Sequence, residues 1–232
     1  MTSIAANLQA VKSRIAAACA AAGRDAGSVA LLAVSKTWPP ASVAEAVAAG
    51  QRAFGENYVQ EALEKQAALA APDLEWHFIG PLQSNKTRAV AERFDWVHSV
   101  DRLKIAERLA TQRPPERGPL QVCVQVNVSG EQSKSGCAPE QAETLATAVA
   151  RLPGLHLRGL MAIPEPSDDP ALTRSRFALL RQLRDRITAN GLPLDTLSMG
   201  MSHDLEAAIA EGATIVRVGT AIFGERQLRA ES

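Results

Sequence analysis

The sequence predicts an α/β protein, a single TIM-like (β/α)8 barrel preceded by one extra helix. Three observations predict it. Short apolar, β-branched or aromatic runs recur at about 29–35, 52–55, 75–80, 95–99, 120–128, 155–162, 194–198 and 214–218. Amphipathic stretches such as SVAEAVAAG, VQEALEKQAALA, DRLKIAERLATQ and PEQAETLATAVARL lie between them. Strand–helix alternation implies parallel strands joined by crossover helices. Eight such units in 232 residues suit a closed barrel, typically ~250 residues long, better than an open doubly wound sheet, which is the runner-up.

The elements follow in chain order. Ile4, Leu8, Val11, Ile15 and Cys19 repeat at helical spacing between Ser3 and Gly23, an amphipathic helix with its cap and its stop. IAAACAAAG after Lys12 and Arg14 faintly imitates a signal peptide but is too weakly hydrophobic. The runs LQVCVQVNV and TIVRVGT have the β-branched character of strands covered on both faces. The Pro-rich segments QRPPERGP and IPEPSDDP read as loops within the alternation, so residues 1–232 are read as one domain.

Composition excludes several classes. Lys+Arg and Asp+Glu are 25 each, so charge favours neither nucleic acid nor an anionic membrane as partner. No apolar run is long enough to span a bilayer. The three cysteines, Cys19, Cys123 and Cys137, form no C-x-x-C pair and are odd in number, which suits a reducing, cytoplasmic compartment and neither a disulfide framework nor a zinc site. Cys19 and Cys123 read as small core residues. The four histidines, 77, 98, 156 and 203, are scattered, with no metal-binding spacing. Arg174, Arg176, Arg181, Arg184 and Arg186 resemble a basic patch, but Phe177, Leu180, Leu183 and Ile187 alternate with them at helical spacing, so they read as the solvated face of a helix.

In a barrel the chemistry sits at the C-terminal strand ends. That criterion gathers Lys36, Asn57, Ser202, Arg217 and Thr220 around one mouth. Ser202 precedes a helix whose first turns carry Asp204 and Glu206, and alone it is a good N-cap. Gly219 and Thr220 close the last strand where a short helix can begin. Glycine lets an anion approach backbone N–H groups, and loops after strands 7 and 8 are the recurrent phosphate site of such barrels. Together the two loops point to phosphate. Ser202-His203-Asp204 is no catalytic triad, because consecutive residues on a helix do not face one another.

Lys36 ends the run LLAVSK just before Pro39 and Pro40. A lysine at a strand end ordinarily snorkels to solvent. Beside a phosphate site and a cation such as Arg217, it would instead have a lowered pKa and a nucleophilic amine. An amine with a phosphate cradle describes a Schiff base to a phosphorylated carbonyl compound, either pyridoxal 5′-phosphate or the sugar phosphate of an aldolase.

LLAVSKTWP, FGENYVQEALEK, LEWHFIGPLQSNK, GLMAIP and SMGMSHDLEAAIAEGATIVRVGTAIFGER resemble the YggS/PROSC family of pyridoxal phosphate homeostasis proteins over nearly the whole chain. The resemblance implies a barrel similar to the N-terminal domain of alanine racemase, with Lys36 holding pyridoxal 5′-phosphate as an internal aldimine. It implies that Ser202, Gly219 and Thr220 hold the phosphate, that Arg217 faces the pyridine nitrogen, and that Asn57 and Met201 line the pocket. It assigns no role to His203, no catalytic residue and no metal. The implied function is cofactor homeostasis in a cytoplasmic monomer, with transient acceptor enzymes as partners. The alternative is a racemase-like enzyme. That chemistry needs a second domain and a tyrosine base opposite the lysine, and Tyr58, in GENY, is the sole tyrosine.

Overall fold

A computed structural model describes residues 3–69, 71–130 and 135–225. Eight strands, β1 (Ala30–Val34), β2 (Ala53–Glu56), β3 (Glu75–Phe78), β4 (Trp96–Val100), β5 (Leu120–Gln125), β6 (Leu155–Met161), β7 (Thr196–Ser198) and β8 (Ile215–Val218), pair in chain order into a closed barrel. Every pair is parallel, and β8 closes on β1 with Ala30 opposite Ile215 and Ala33 opposite Val218. The expected strand positions hold to within a residue or two, apart from the fifth run. It ends at Gln125 rather than 128, because the carbonyls of Gln125 and Cys137 bond the amides of Cys137 and Asn127 and fold the loop back.

Helix α1 (Ile4–Ala21) precedes the barrel. The Ser3 hydroxyl accepts the Ala6 amide at 3.2 Å and Gly23 takes the left-handed turn that stops it, at φ 65°. Leu8, Val11, Ile15, Ala18 and Cys19 are its buried face. Crossover helices α2 (Pro40–Ala48), α3 (Val59–Leu69), α4 (Thr87–Arg93), α5 (Leu103–Gln112), α6 (Ala142–Ala150), α7 (Pro170–Ala189) and α8 (Leu205–Ala210) surround the strands, and a single turn, α9 (Thr220–Phe223), follows β8. Helix α1 packs on α2, α8 and α9, the flank beneath the last two loops.

The core has two layers. The larger lies between strands and helices and takes residues such as Ala33, Phe54, Phe78, Val122, Leu160 and Val216. The smaller fills the barrel interior with Leu32, Val34, Ile79, Trp96, Cys123, Met161 and Ile215. His77, His98, Ser198 and Arg217 are also buried, on strands of the barrel.

The arginines of α7 form a paired, half-exposed face. Arg174 and Arg181 bind Glu211, Arg176 binds Glu165, Arg184 binds Asp185 and Arg186 lies by Glu143. Phe177, Leu180, Leu183 and Ile187 are its buried side. The three cysteines are buried and unbridged, and burial pushes the Cys123 thiol up to about 12 and that of Cys137 to about 11.

Candidate functional site

Lys36 is half-buried and lies in a turn directly after β1. The next residue, Thr37, has φ 68°, a left-handed conformation that β-branched residues rarely take. Such strain persists only where the surroundings over-determine it. Here the Thr37 amide donates to Glu61 Oε2 at 2.8 Å, and the Ser35 hydroxyl donates to Glu56 Oε1 at 2.6 Å. Lys65 Nζ donates to both the Ser35 carbonyl, at 2.7 Å, and Glu56 Oε1, at 2.6 Å. Burial pushes the Glu56 carboxyl above its ordinary range, and the Lys65 ammonium opposes that. Trp38 stacks on Phe223 with centroids 5.9 Å apart, tying the lysine turn to α9.

Arg217 is the third residue of β8, buried to 3% exposure. Its Nη1 donates to Ser198 Oγ and its Nη2 to the Ala162 carbonyl, each at 2.8 Å. Burial lowers its pKa to about 10, with Asp204 opposing, so it stays a cation at neutral pH.

The loops after β7 and β8 meet where the phosphate site is expected. Ser202 Oγ accepts the Ala221 amide at 3.4 Å, and Arg14 of α1 donates to the Ser202 carbonyl at 3.1 Å. Ser202 is not the cap of α8, contrary to the sequence reading. That helix starts at Leu205 after Asp204, whose Oδ1 accepts the Met201 amide at 2.6 Å, so the chain makes one more turn before the helix. At Gly219 a Cβ would stand 3.1 Å from the Val34 carbonyl, so β8 exits against the end of β1. Thr220 is exposed, Met201 half-buried and His203 exposed.

Asn57 follows β2 and its Oδ1 is buried with no hydrogen-bond partner. Its backbone is wedged against Gly80, where a Cβ would lie 2.6 Å from the Asn57 carbonyl. Tyr58, the next residue, is 53% exposed.

The fold thus brings Lys36, Asn57, Met201, Ser202, Gly219 and Thr220 to one end of the barrel, with Arg217 one residue below the end of β8. Sequence reasoning missed the supports, Glu56, Glu61 and Lys65 behind the lysine turn and Ser198 behind Arg217. It also treated His77 and His98 as unrelated, although the barrel sets His77 Nδ1 2.8 Å from His98 Nε2. The available signal was a polar residue inside an apolar strand, in WHF and WVHS.

This donor set fits a pyridoxal phosphate. An amine suits its aldehyde, a buried guanidinium bonded only to neutral acceptors suits its ring nitrogen, and hydroxyls beside bare glycine backbone suit its phosphate. The orphaned Asn57 oxygen is a buried polar group of the kind a ligand satisfies. Among the described residues no cluster of side chains could hold a metal ion.

The model of the alanine racemase N-terminal domain matches residues 4–227, and the fold is that of a barrel of this class. The pyridoxal phosphate homeostasis protein of Pseudomonas aeruginosa is 65% identical over 226 residues, 97% of each chain. The structure of PipY from Synechococcus elongatus with PLP bound is 41% identical, covers 95% of this chain and 100% of its own, and superposes with a TM-score of 0.84. Alanine racemase from Corynebacterium glutamicum is 18% identical, covers 97% of this chain and 64% of its own, with a TM-score of 0.72, and shares the fold. The chain belongs to the pyridoxal phosphate homeostasis family, that of YggS and PROSC.

Proposed function

We propose that this chain is a one-domain, monomeric cytoplasmic protein that binds pyridoxal 5′-phosphate at the C-terminal mouth of its barrel and serves cofactor homeostasis without significant catalysis. One observation carries the reading. Pairing of Ala33 with Val218 sets the Lys36 turn beside the Gly219–Thr220 loop, so amine and phosphate donors leave adjacent strands. Lys36 attaches the aldehyde covalently with loss of water. Ser202, Thr220 and the backbone at Gly219 bind the phosphate, Arg217 donates to the ring nitrogen, and Asn57 and Met201 line the ring. When bound, the cofactor supplies an aldehyde that exchanges between amines and, in enzymes, an electron sink.

Two residues weigh against catalysis. Arg217 disfavours a protonated ring nitrogen, since like charges repel, and so weakens the sink. Tyr58, the sole tyrosine, is more than half exposed, which does not suit a base that must work away from water. Transient transfer to acceptor enzymes follows from an exchangeable attachment. A cytoplasmic location is supported by three unbridged cysteines and by the lack, among the described residues, of a helix long and apolar enough to cross a membrane.

The test is direct. Purified protein mixed with pyridoxal 5′-phosphate should turn yellow, and borohydride should fix a pyridoxyl group on the Lys36 peptide. Pyridoxal without phosphate should bind more weakly. An adduct confined to other lysines, or equal affinity for the two vitamers, removes the assignment. Deuterium wash-in at Cα of amino acids should match free cofactor; exchange at ~1–10³ s⁻¹ that vanishes in Lys36→Ala would make the protein a racemase-like enzyme.

A further inference from the structure

Four buried polar side chains of the barrel strands, Arg217, Ser198, His98 and His77, join Glu75 in one continuous chain. Arg217 Nη1 donates to Ser198 Oγ at 2.8 Å. Ser198 Oγ lies 2.7 Å from His98 Nδ1, His98 Nε2 lies 2.8 Å from His77 Nδ1, and His77 Nε2 lies 2.6 Å from Glu75 Oε1. Ser198, His98, His77 and Arg217 are at most 3% exposed. Glu75 is the first residue of β3, and its side chain is 51% exposed. It opens on a cavity of about 360 Å³ at the N-terminal mouth, shared with Trp96, Arg158 and Asp195. The chain therefore runs the height of the barrel, from the far mouth to Arg217.

Its protons have one order that leaves nothing unsatisfied. A guanidinium only donates and a carboxylate only accepts. The Glu75 carboxylate, held below its ordinary range by the His77 bond, takes the proton of His77 Nε2. His77 Nδ1 then accepts from His98 Nε2, and His98 Nδ1 accepts from the Ser198 hydroxyl. This leaves the Ser198 lone pairs for Arg217. His98 is suited to the neutral, one-donor role, because burial, then the neighbouring His77 and Arg217, push its pKa well below 6.5. In the reverse order His98 would donate to Ser198, and the Ser198 proton would be buried without an acceptor in the chain, which is costly.

We propose that Glu75, His77 and His98 are positioning residues for Arg217, holding its guanidinium through Ser198 and so setting its contact with the cofactor ring from the opposite end of the barrel. This rests on the reading of Arg217 as the partner of the ring nitrogen. A state imposed at the far mouth is felt at the cofactor with no residue of the pocket altered.

Two readouts test it, one without cofactor. Long-range ¹H–¹⁵N spectra of the protein alone should show both imidazoles as neutral Nε2–H tautomers. Glu75→Gln, which can still accept through its amide oxygen, should keep that pattern. Glu75→Lys, which can only donate, should reverse both tautomers. In the loaded protein, Glu75→Lys and the buried cut His98→Gln should shift the absorption maximum of the bound cofactor and speed its loss several-fold, while Glu75→Gln matches wild type. An Nδ1–H tautomer in wild type, or tautomers unmoved by Glu75→Lys, overturns the proton order. Full loading of Lys36 with unchanged spectrum and release in both Glu75→Lys and His98→Gln overturns the positioning role alone. A wild type with no borohydride adduct on Lys36 overturns the functional reading itself. If Glu75→Lys does not fold, His98→Gln against Glu75→Gln decides.

Discussion

Lys65 and Arg217 are both cations buried to 3% exposure, yet the protein treats them differently. Lys65, on α3, meets a carboxylate, Glu56, at 2.6 Å. Arg217, on β8, meets a hydroxyl and a carbonyl. A buried charge is tolerable when paired and hydrogen-bonded, and costs several kcal/mol otherwise. The first region thus pairs its charge internally and works as a brace, with Ser35 and the Lys36 turn hung from it, although Glu56 Oε2 is buried with no hydrogen-bond partner. The second keeps electrostatic capacity in reserve. An arrangement that satisfies its charge only partly is one that a ligand completes.

The largest effect should come from breaking the brace. Lys65→Met strands the Glu56 carboxylate, and removal of one partner of a buried pair typically costs ~3–5 kcal/mol. Urea unfolding should show that loss, and Lys65→Met combined with Glu56→Leu should recover a large part of it. A double variant as unstable as the single one would mean that packing, not charge, sets the brace. Cofactor loading should fall in the single variant as well, since the Ser35 carbonyl loses its donor.

Arg217→Met should behave in the opposite manner. Two bonds to neutral acceptors are lost, worth ~0.5–1.5 kcal/mol each, but the cost of burying an uncompensated charge also goes. Without cofactor the variant should sit within ~2 kcal/mol of wild type. With saturating pyridoxal 5′-phosphate the gap should widen, because a ligand stabilises in proportion to the logarithm of its concentration over its dissociation constant. Equal gaps with and without cofactor would put Arg217 among the structural residues.

Much of this was legible in the sequence, for identifiable reasons. The strands were visible because residues covered on both faces must be apolar, and Lys36 because an amine at the end of such a run is costly. Ser202 as a helix cap rested on residue type alone, and the structure corrects that reading by giving the cap position to Asp204. The pairs Glu56–Lys65 and His77–His98 were not legible. Each joins different elements, and only the register of the parallel pairing sets His77 against His98, as only the packing of α3 on β2 sets Lys65 against Glu56. A polar residue in a strand announces that it has a partner, not which one.

The smallest effect concerns two glutamates, and its sign is the test. Glu56 titrates above its ordinary 4.5, because burial disfavours its charged form. Its folded state binds a proton more tightly than the unfolded chain does. Its contribution is therefore full below 4.5 and is lost as pH rises from there through the folded value. Glu75 titrates below 4.5, because His77 donates to its carboxylate. Its contribution is present above 4.5 and is lost as pH falls through the folded value. Stability of wild type minus Glu56→Gln should thus decline towards neutral pH, and wild type minus Glu75→Gln should decline on acidification. Since half of the Glu75 side chain is exposed, its slope should be the shallower and should weaken with salt. Two difference curves of the same sign would mean that Glu56 is held ionised by Lys65, and that the brace is a full ion pair throughout the acid range.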